Sequence, residues 1–153
     1  MQSIDLPARN AGKTRSRIMR IAALMVAILI GSTALVRAGD DDVASGQAVI
    51  RSQAEALSRD DAAAAYDFAA PSIKSLFRTP DTFMFMVRNG YAPVYRHRSF
   101  EFGEARTYEG KIYQEVHIVD ANGEAWEAFY TLEPQDDGSI KISSCVLKKA
   151  VTS

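Results

Sequence analysis

The spacing of hydrophobic residues changes at Pro93, and this change decides which fold class the chain can adopt. After Pro93, apolar and polar residues alternate, as they do in half-buried strands. We predict four strands, at residues 100–108, 112–120, 124–132 and 139–147. Asn122-Gly123 and Asp137-Gly138 separate two pairs of them and are typical of hairpin turns. The second half of the chain is therefore predicted to be an antiparallel meander.

Before Pro93 the apolar residues follow the three- and four-residue spacing of helices. We predict helical segments at residues 43–57, 62–70, 72–77 and 81–88. Asp60 or Asp61 can cap the second of them, and we expect Gly90 to end the last one in the left-handed conformation. Helices followed by a meander predict an α+β domain, with amino-terminal helices packed on a curved four-stranded antiparallel sheet, a cone-like arrangement.

The turns also predict which residues face each other across the sheet. The predicted register rests on three assumptions: the first hairpin loop has three residues, Asp120 lies opposite Glu124, and Glu133 lies opposite Ser139. The rows expected to face the helices are Phe102–Ile118–Trp126–Val146, Glu104–Val116–Ala128–Ser144, Arg106–Gln114–Tyr130–Ile142 and Ile112–Leu132–Ile140. The reverse face, with Val119, Phe129 and Leu147, is mixed in character, and we expect it to meet water, a partner protein or a second copy in a homodimer.

The amino terminus has the parts of a secretory signal. Residues 21–36 are uncharged and largely apolar, Arg15, Arg17 and Arg20 stand just before them, and Val36-Arg37-Ala38 places small residues at the −3 and −1 positions. We predict a signal peptide at residues 1–38, with Met1 or Met19 as its start, and one exported domain at 39–153, periplasmic or secreted. The alternative is an uncleaved anchor that holds this domain outside the inner membrane.

The composition of the exported part limits its partners and its chemistry. Residues 39–153 carry twelve basic and eighteen acidic groups without a basic cluster, which argues against a nucleic-acid partner. Cys145 is the only cysteine, so an internal disulfide cannot form. His97 and His117 are the only histidines and no phosphate-binding glycine loop is present, so we predict neither a metal nor a cofactor.

One row of the reverse face resembles a catalytic set. In the predicted register His117, Glu127 and Cys145 lie side by side on three strands. Since strands are about 4.8 Å apart, His117 and Cys145 would be about twice that distance from each other, too far for a nucleophile and its base. We therefore predict a packed Cys145 and a surface pair of His117 and Glu127.

A second set of residues is the candidate ligand pocket, enclosed by the sheet and the helices: Tyr66, Glu104, Arg106, Gln114 and Tyr130. Polar groups at such a place must be paired with each other or with a ligand. Glu104 in apolar surroundings would have the raised pKa of a general base, with Tyr130 or Arg106 stabilising an oxyanion. The alternative is a contact of Arg106 with Glu104 or Gln114 that only supports the sheet.

Several stretches of the chain resemble an uncharacterised bacterial family, domain of unknown function 4864. They are residues 50–53, 60–62, 65–73, 91–94, 126–130 and 142–147, with Phe83 and Met86-Val87. The plan of helices followed by a curved sheet is similar to the nuclear transport factor 2-like, or cystatin-like, fold. That fold includes isomerases, cyclases and scaffold domains, so the resemblance implies an architecture and no single activity.

Three functions are compatible with these patterns. The first is an exported domain that binds a small ligand or a partner protein without catalysis. The second is an isomerase or cyclase that uses Glu104. The third is a membrane-anchored assembly domain, which requires that residues 21–36 are retained.

Overall fold

In the computed structural model of this protein, residues 39–151 are described, and the predicted signal segment with its apolar run at residues 21–36 lies outside them. Five helices come first: α1 (residues 39–58), α2 (Ala62–Asp67), α3 (Pro71–Leu76), α4 (Pro80–Gly90) and α5 (Ala92–Tyr95). Four strands follow: β1 (His97–Tyr108), β2 (Lys111–Asp120), β3 (Ala125–Pro134) and β4 (Ile140–Lys149). Among residues 39–151, no helix is both long and apolar enough to cross a membrane.

The strands form one antiparallel sheet in the order β1-β2-β3-β4, which is the predicted meander. Along β2 the buried residues alternate with more accessible ones, so this strand defines the two faces of the sheet. We call the face that carries Ile112, Gln114, Val116 and Ile118 the inner face and the opposite one the outer face. The helices pack on the inner face, so the α+β architecture predicted from the sequence is confirmed.

The helix boundaries reflect local capping and contacts with β4. The side chain of Asp61 accepts a hydrogen bond from the Ala64 amide at 3.0 Å and begins α2. This helix ends at Asp67, earlier than predicted, because the Ala70 amide and the Phe68 carbonyl pair with Ile142 of β4 at 2.8 Å each. A backbone engaged with a strand cannot also continue the helical ladder.

α4 begins with a capping box in which Thr79 and Thr82 each accept a hydrogen bond from the other's backbone amide. The expectation for Gly90 was wrong, because Gly90 is itself helical and the cap falls on Tyr91. The short helix α5, which the sequence did not predict, follows at once, with Pro93 in its first turn.

Asp60, the alternative cap, instead connects the turn after α1 to α4 and α5. Its carboxylate accepts hydrogen bonds from Arg88 at 2.9 Å, from Arg96 at 3.0 Å and from the hydroxyl of Tyr95. These donors, with Tyr95 first, lower the pKa of Asp60. The contact holds Asp60 in a left-handed conformation with φ of 60°, which is uncommon for a residue other than glycine.

The β2–β3 hairpin has the predicted register, with Ile118 opposite Trp126 and Gln114 opposite Tyr130. Asp120 stabilises this turn: its carboxylate accepts from the amides of Asn122 and Glu124 at 2.8 and 2.9 Å and from the Trp126 indole at 3.0 Å. The amide of Glu124 contributes most to the lowered pKa of Asp120.

The predicted β1–β2 register was wrong. The loop contains two residues, Glu109 and Gly110, and both have positive φ, as a type I′ turn requires. A bulge then places Gly103 and Glu104 together opposite Glu115. As a result Phe102 lies opposite Val116, and Arg106 lies opposite Tyr113 on the outer face.

The predicted β3–β4 register was also wrong. Ile142 rather than Ile140 lies opposite Leu132, and the pairing shifts by one further residue between Thr131 and Leu132. Cys145 pairs with Tyr130, and Leu147 pairs with Ala128, so both lie on the inner face rather than the outer one. Val146 is correspondingly 48 % exposed on the outer face, opposite Phe129. A one-residue slip moves every following side chain to the other face of the sheet. The predicted and the observed faces of Cys145, Val146 and Leu147 are opposite for this reason.

The core lies between α1 and the middle of the sheet. Gly46 of α1 packs so closely on Ile112 that a side chain at this position would lie 3.2 Å from its Cδ1 atom. Leu57, Val116, Ala128 and Leu132 are at most 1 % exposed. The described domain therefore has a continuous hydrophobic core beneath the helices.

The same substitution at two valines tests the assignment of the faces. We expect Val116→Ala, which removes a fully buried side chain, to lower the free energy of unfolding by about 2 kcal/mol. Val146→Ala on the outer face should change it by no more than about 0.5 kcal/mol. Urea denaturation measures both values, and equal losses at the two positions would contradict the register of β4.

Candidate functional site

A cavity of about 390 Å³ lies between the helices and the inner face of the sheet. Its walls come from α1, α3, α4, α5, β3 and β4. The lining residues are Gln53, Leu57, Ile73, Leu76, Phe77, Phe83, Met86, Val87, Tyr91, Val94, Tyr130, Ile142, Ser143, Ser144 and Cys145. None of them is charged, and most are aliphatic or aromatic.

The pairing of α3 with β4 creates this space. Because residues 68–70 hydrogen-bond to Ile142, the following helix α3 is held beside the middle of β4. Tyr66 supports the wall from behind: its hydroxyl donates to the Phe77 carbonyl at 2.6 Å, and its ring lies 5.7 Å from that of Phe83. Leu76, a lining residue, is 75 % exposed, so the cavity opens to solvent beside α3.

The polar atoms of the cavity are held in neutral form. Burial is the main cause of the raised pKa of Tyr130, and the neighbouring thiol of Cys145 contributes to it. Burial likewise raises the pKa of Cys145 to about 12 and is the main cause of the raised pKa of Tyr91. The Tyr91 hydroxyl donates to the Cys145 carbonyl at 2.9 Å. At neutral pH this wall therefore carries hydroxyls and a thiol without charge.

A second hollow, of about 350 Å³, lies near the bulge of β1. Its lining includes Glu104 and Arg106 of β1 and Tyr113, Glu115, Phe129 and Thr131 of the outer face. Glu104 and Arg106 are exposed, and the Arg106 guanidinium lies 5.4 Å from the centre of the Tyr113 ring. This hollow has charged residues in its lining, in contrast to the cavity under the helices.

The second hollow is lined by four of the five residues of the predicted ligand pocket: Glu104, Arg106, Gln114 and Tyr130. Tyr130 also lines the inner cavity and Tyr66 supports its wall, whereas Glu104 and Arg106 point away from it on the outer face. Gln114 is buried, and its amide is fully engaged. It accepts from Gln47 at 2.8 Å and donates to three carbonyl groups of the sheet. Of the five, Tyr66 alone lies outside the lining of the second hollow, and the binding role of the set stays a prediction.

The row of His117, Glu127 and Cys145 is also divided. His117 lies opposite Glu127 on the outer face, as predicted, but Cys145 is on the inner face beside Tyr130. The sheet thus separates the thiol from the imidazole, and no nucleophile–base pair forms from these groups.

Sequence analysis did not assign the apolar residues of α4 to a ligand site. Phe83, Met86 and Val87 recur at the spacing of one helix face, which predicts burial but not the empty volume beside them. A cavity depends on how well opposing side chains fill space, and this has no signal in the periodicity of a single segment.

The buried thiol allows a direct test of the cavity chemistry. With its pKa at about 12, Cys145 in the folded protein carries far less thiolate at pH 8 than a free cysteine. We expect 5,5′-dithiobis(2-nitrobenzoate) to react with it roughly 10³-fold more slowly than in the unfolded chain, because only the thiolate attacks. Reaction rates in buffer and in guanidinium chloride measure the ratio, and similar rates would contradict the buried position.

The comparisons with known proteins agree with the extent of the described domain. The family model described as Domain of unknown function (DUF4864) matches residues 40–153. No curated protein and no solved structure matches the chain significantly. Because the family model covers three quarters of the sequence, including all four strands, the chain belongs to the DUF4864 family.

Proposed function

We propose that this chain is an exported protein whose domain at residues 39–153 binds a small, neutral and largely apolar molecule without catalysing a reaction on it. The observation that carries the proposal is the cavity of about 390 Å³, which has no charged residue in its lining. Cavities of a few hundred Å³ with apolar walls and a few polar groups are typical of ligand sites.

The volume sets the size of the ligand. A cavity of about 150 Å³ accepts benzene, so the same filling corresponds to roughly 15 carbon atoms here. A two-ring aromatic compound or a medium-length acyl chain has this size. The opening beside α3 allows a longer molecule to project into solvent.

The lining sets the chemistry of the ligand. A charged group placed inside would lose its hydration without gaining a partner of opposite charge, which is strongly unfavourable. Few hydrogen bonds are available: the Tyr130 hydroxyl of β3 lines the cavity beside β4, whereas the Ser143 hydroxyl already donates to the Thr131 carbonyl at 3.2 Å. The ligand is therefore apolar over most of its surface and carries at most a neutral polar group where it meets β4.

The same groups argue against catalysis in the cavity. The isomerase or cyclase alternative requires a carboxylate base, but Glu104 is exposed on the outer face. The thiol of Cys145 is held protonated and has no imidazole beside it. A binding function requires neither a base nor a nucleophile.

Export rests on the amino-terminal sequence. The basic stretch, the apolar run at residues 21–36 and the small residues before Gly39 support removal of residues 1–38 during transport to the periplasm or the medium. A retained segment would instead anchor the domain to the membrane, and the ligand site would remain the same.

A neutral fluorescent probe tests the cavity. We expect N-phenyl-1-naphthylamine to bind with a saturable rise in fluorescence, because it is apolar and has two ring systems. The anionic 8-anilinonaphthalene-1-sulfonate, of similar size, should bind at least about tenfold more weakly, since its sulfonate has no cation to meet. Fluorescence titration gives both dissociation constants.

Two tryptophan variants locate the binding. Val87→Trp fills the cavity from α4 and should weaken probe binding at least about tenfold. Val146→Trp makes the same change on the outer face and should leave it unaltered. Thermal unfolding shows whether each variant is folded, and Met86→Trp replaces Val87→Trp if the latter is not. Equal binding to a folded cavity variant and to Val146→Trp would refute the proposal.

Export has its own test, which is intact mass measurement and amino-terminal sequencing of the protein from separated cell fractions. We expect a mature form that begins at Gly39 in the soluble exported fraction. A full-length chain in the membrane fraction would show that the segment is an anchor, and a full-length chain in the cytoplasm would refute export.

A further inference from the structure

Two carboxylates and an imidazole come together on the outer face of the sheet, on the side away from the cavity. His117 of β2 lies opposite Glu127 of β3, and Glu115 stands two residues before His117 on the same face. One ligand atom of each, a carboxylate oxygen or an imidazole nitrogen, lies within 4.8 Å of the others. Glu115 and Glu127 are half-buried, whereas His117 is exposed.

Gly103 provides the space for the imidazole. It lies in the bulge of β1 beside His117, and a Cβ atom at this position would be only 2.6 Å from Nε2 of His117. The imidazole ring therefore occupies the space that the side chain of any residue other than glycine at position 103 would fill. Buried Gln114 holds the bulge itself, because its amide donates to the carbonyls of Gly103 and Glu104 at 3.2 and 3.3 Å.

Neither glutamate forms an ion pair with the neighbouring cation: Lys148 lies opposite Glu127 on β4, but its ammonium lies 5.3 Å from the centre of the Phe129 ring. Among residues 39–151, the ion pairs involve other acidic residues and neither Glu115 nor Glu127. The nearest strand neighbour on the β1 side, Glu101, adds a further carboxylate opposite His117. Acidic groups held side by side in this way favour a bound cation.

We propose that Glu115, His117 and Glu127 form a binding site for a divalent transition-metal ion of the Zn²⁺ type. The imidazole nitrogen and one oxygen of each carboxylate are three ligands, and water supplies the fourth. Ligand atoms about 2 Å from a tetrahedral zinc lie about 3.4 Å from each other, so side-chain rotation suffices to close the site. The imidazole favours such an ion over Mg²⁺ or Ca²⁺, which prefer oxygen ligands alone.

The test is calorimetric titration of the full-length chain with ZnCl₂, before and after addition of excess MgCl₂. We expect one saturable site that Mg²⁺ does not displace. His117→Gln should weaken it at least about tenfold, since even substitutions in the outer shell of metal sites cost that much. His97→Gln, which removes the other histidine, is the matched control and should bind as the original chain does.

Gly103→Ala tests the geometry rather than the ligand set. The added methyl group meets the end of a movable side chain, so the domain should stay folded, with an unchanged unfolding temperature, while the displaced imidazole weakens zinc binding several-fold. Undiminished binding to His117→Gln, or a site that Mg²⁺ displaces, would overturn the proposal. Weakening by His97→Gln equal to that by His117→Gln would do the same.

Discussion

The side-chain amide of Gln114 connects the parts of this domain that determine its two faces. Gln114 is 2 % exposed, accepts from Gln47 of α1 and donates to the carbonyl groups of the two residues in the β1 bulge, Gly103 and Glu104. An unpaired amide at such a depth would cost about 1–3 kcal/mol, so α1 and the bulge must adopt positions that satisfy it. The bulge in turn sends Glu104 and Arg106 to the outer face and leaves room for His117.

The second structural determinant is the attachment of the chain after α2 to β4. Backbone hydrogen bonds to Ile142 hold the start of α3 beside β4, and the shift between Thr131 and Leu132 turns Cys145 and Leu147 inward. Together they leave an apolar space whose polar atoms are hydroxyls and a thiol without charge. These features support the proposed neutral ligand on the inner face and the proposed cation on the outer face.

The parts predicted best from the sequence were those governed by local chemistry. The β2–β3 register followed from Asn122-Gly123, because Asp120 binds the turn amides and the Trp126 indole within a few residues. The start of α4, predicted at residue 81, was correct to within one residue, because Thr79 caps this helix through a residue only three positions away. The nuclear transport factor 2-like fold stays a prediction, as does the binding role of the five pocket residues.

The order of helices and strands, the alternation along β2 and the family resemblance were thus contained in the sequence, because each depends on neighbouring residues and on periodicity. The tertiary structure alone decided which side chains meet. The β1 bulge and the β3–β4 shift each change the register by one residue, and each reverses the face on which the following residues lie. The bulge is held by a buried amide on another strand, and the cavity depends on packing between helices that are distant in the sequence. Neither feature is therefore encoded in a local pattern.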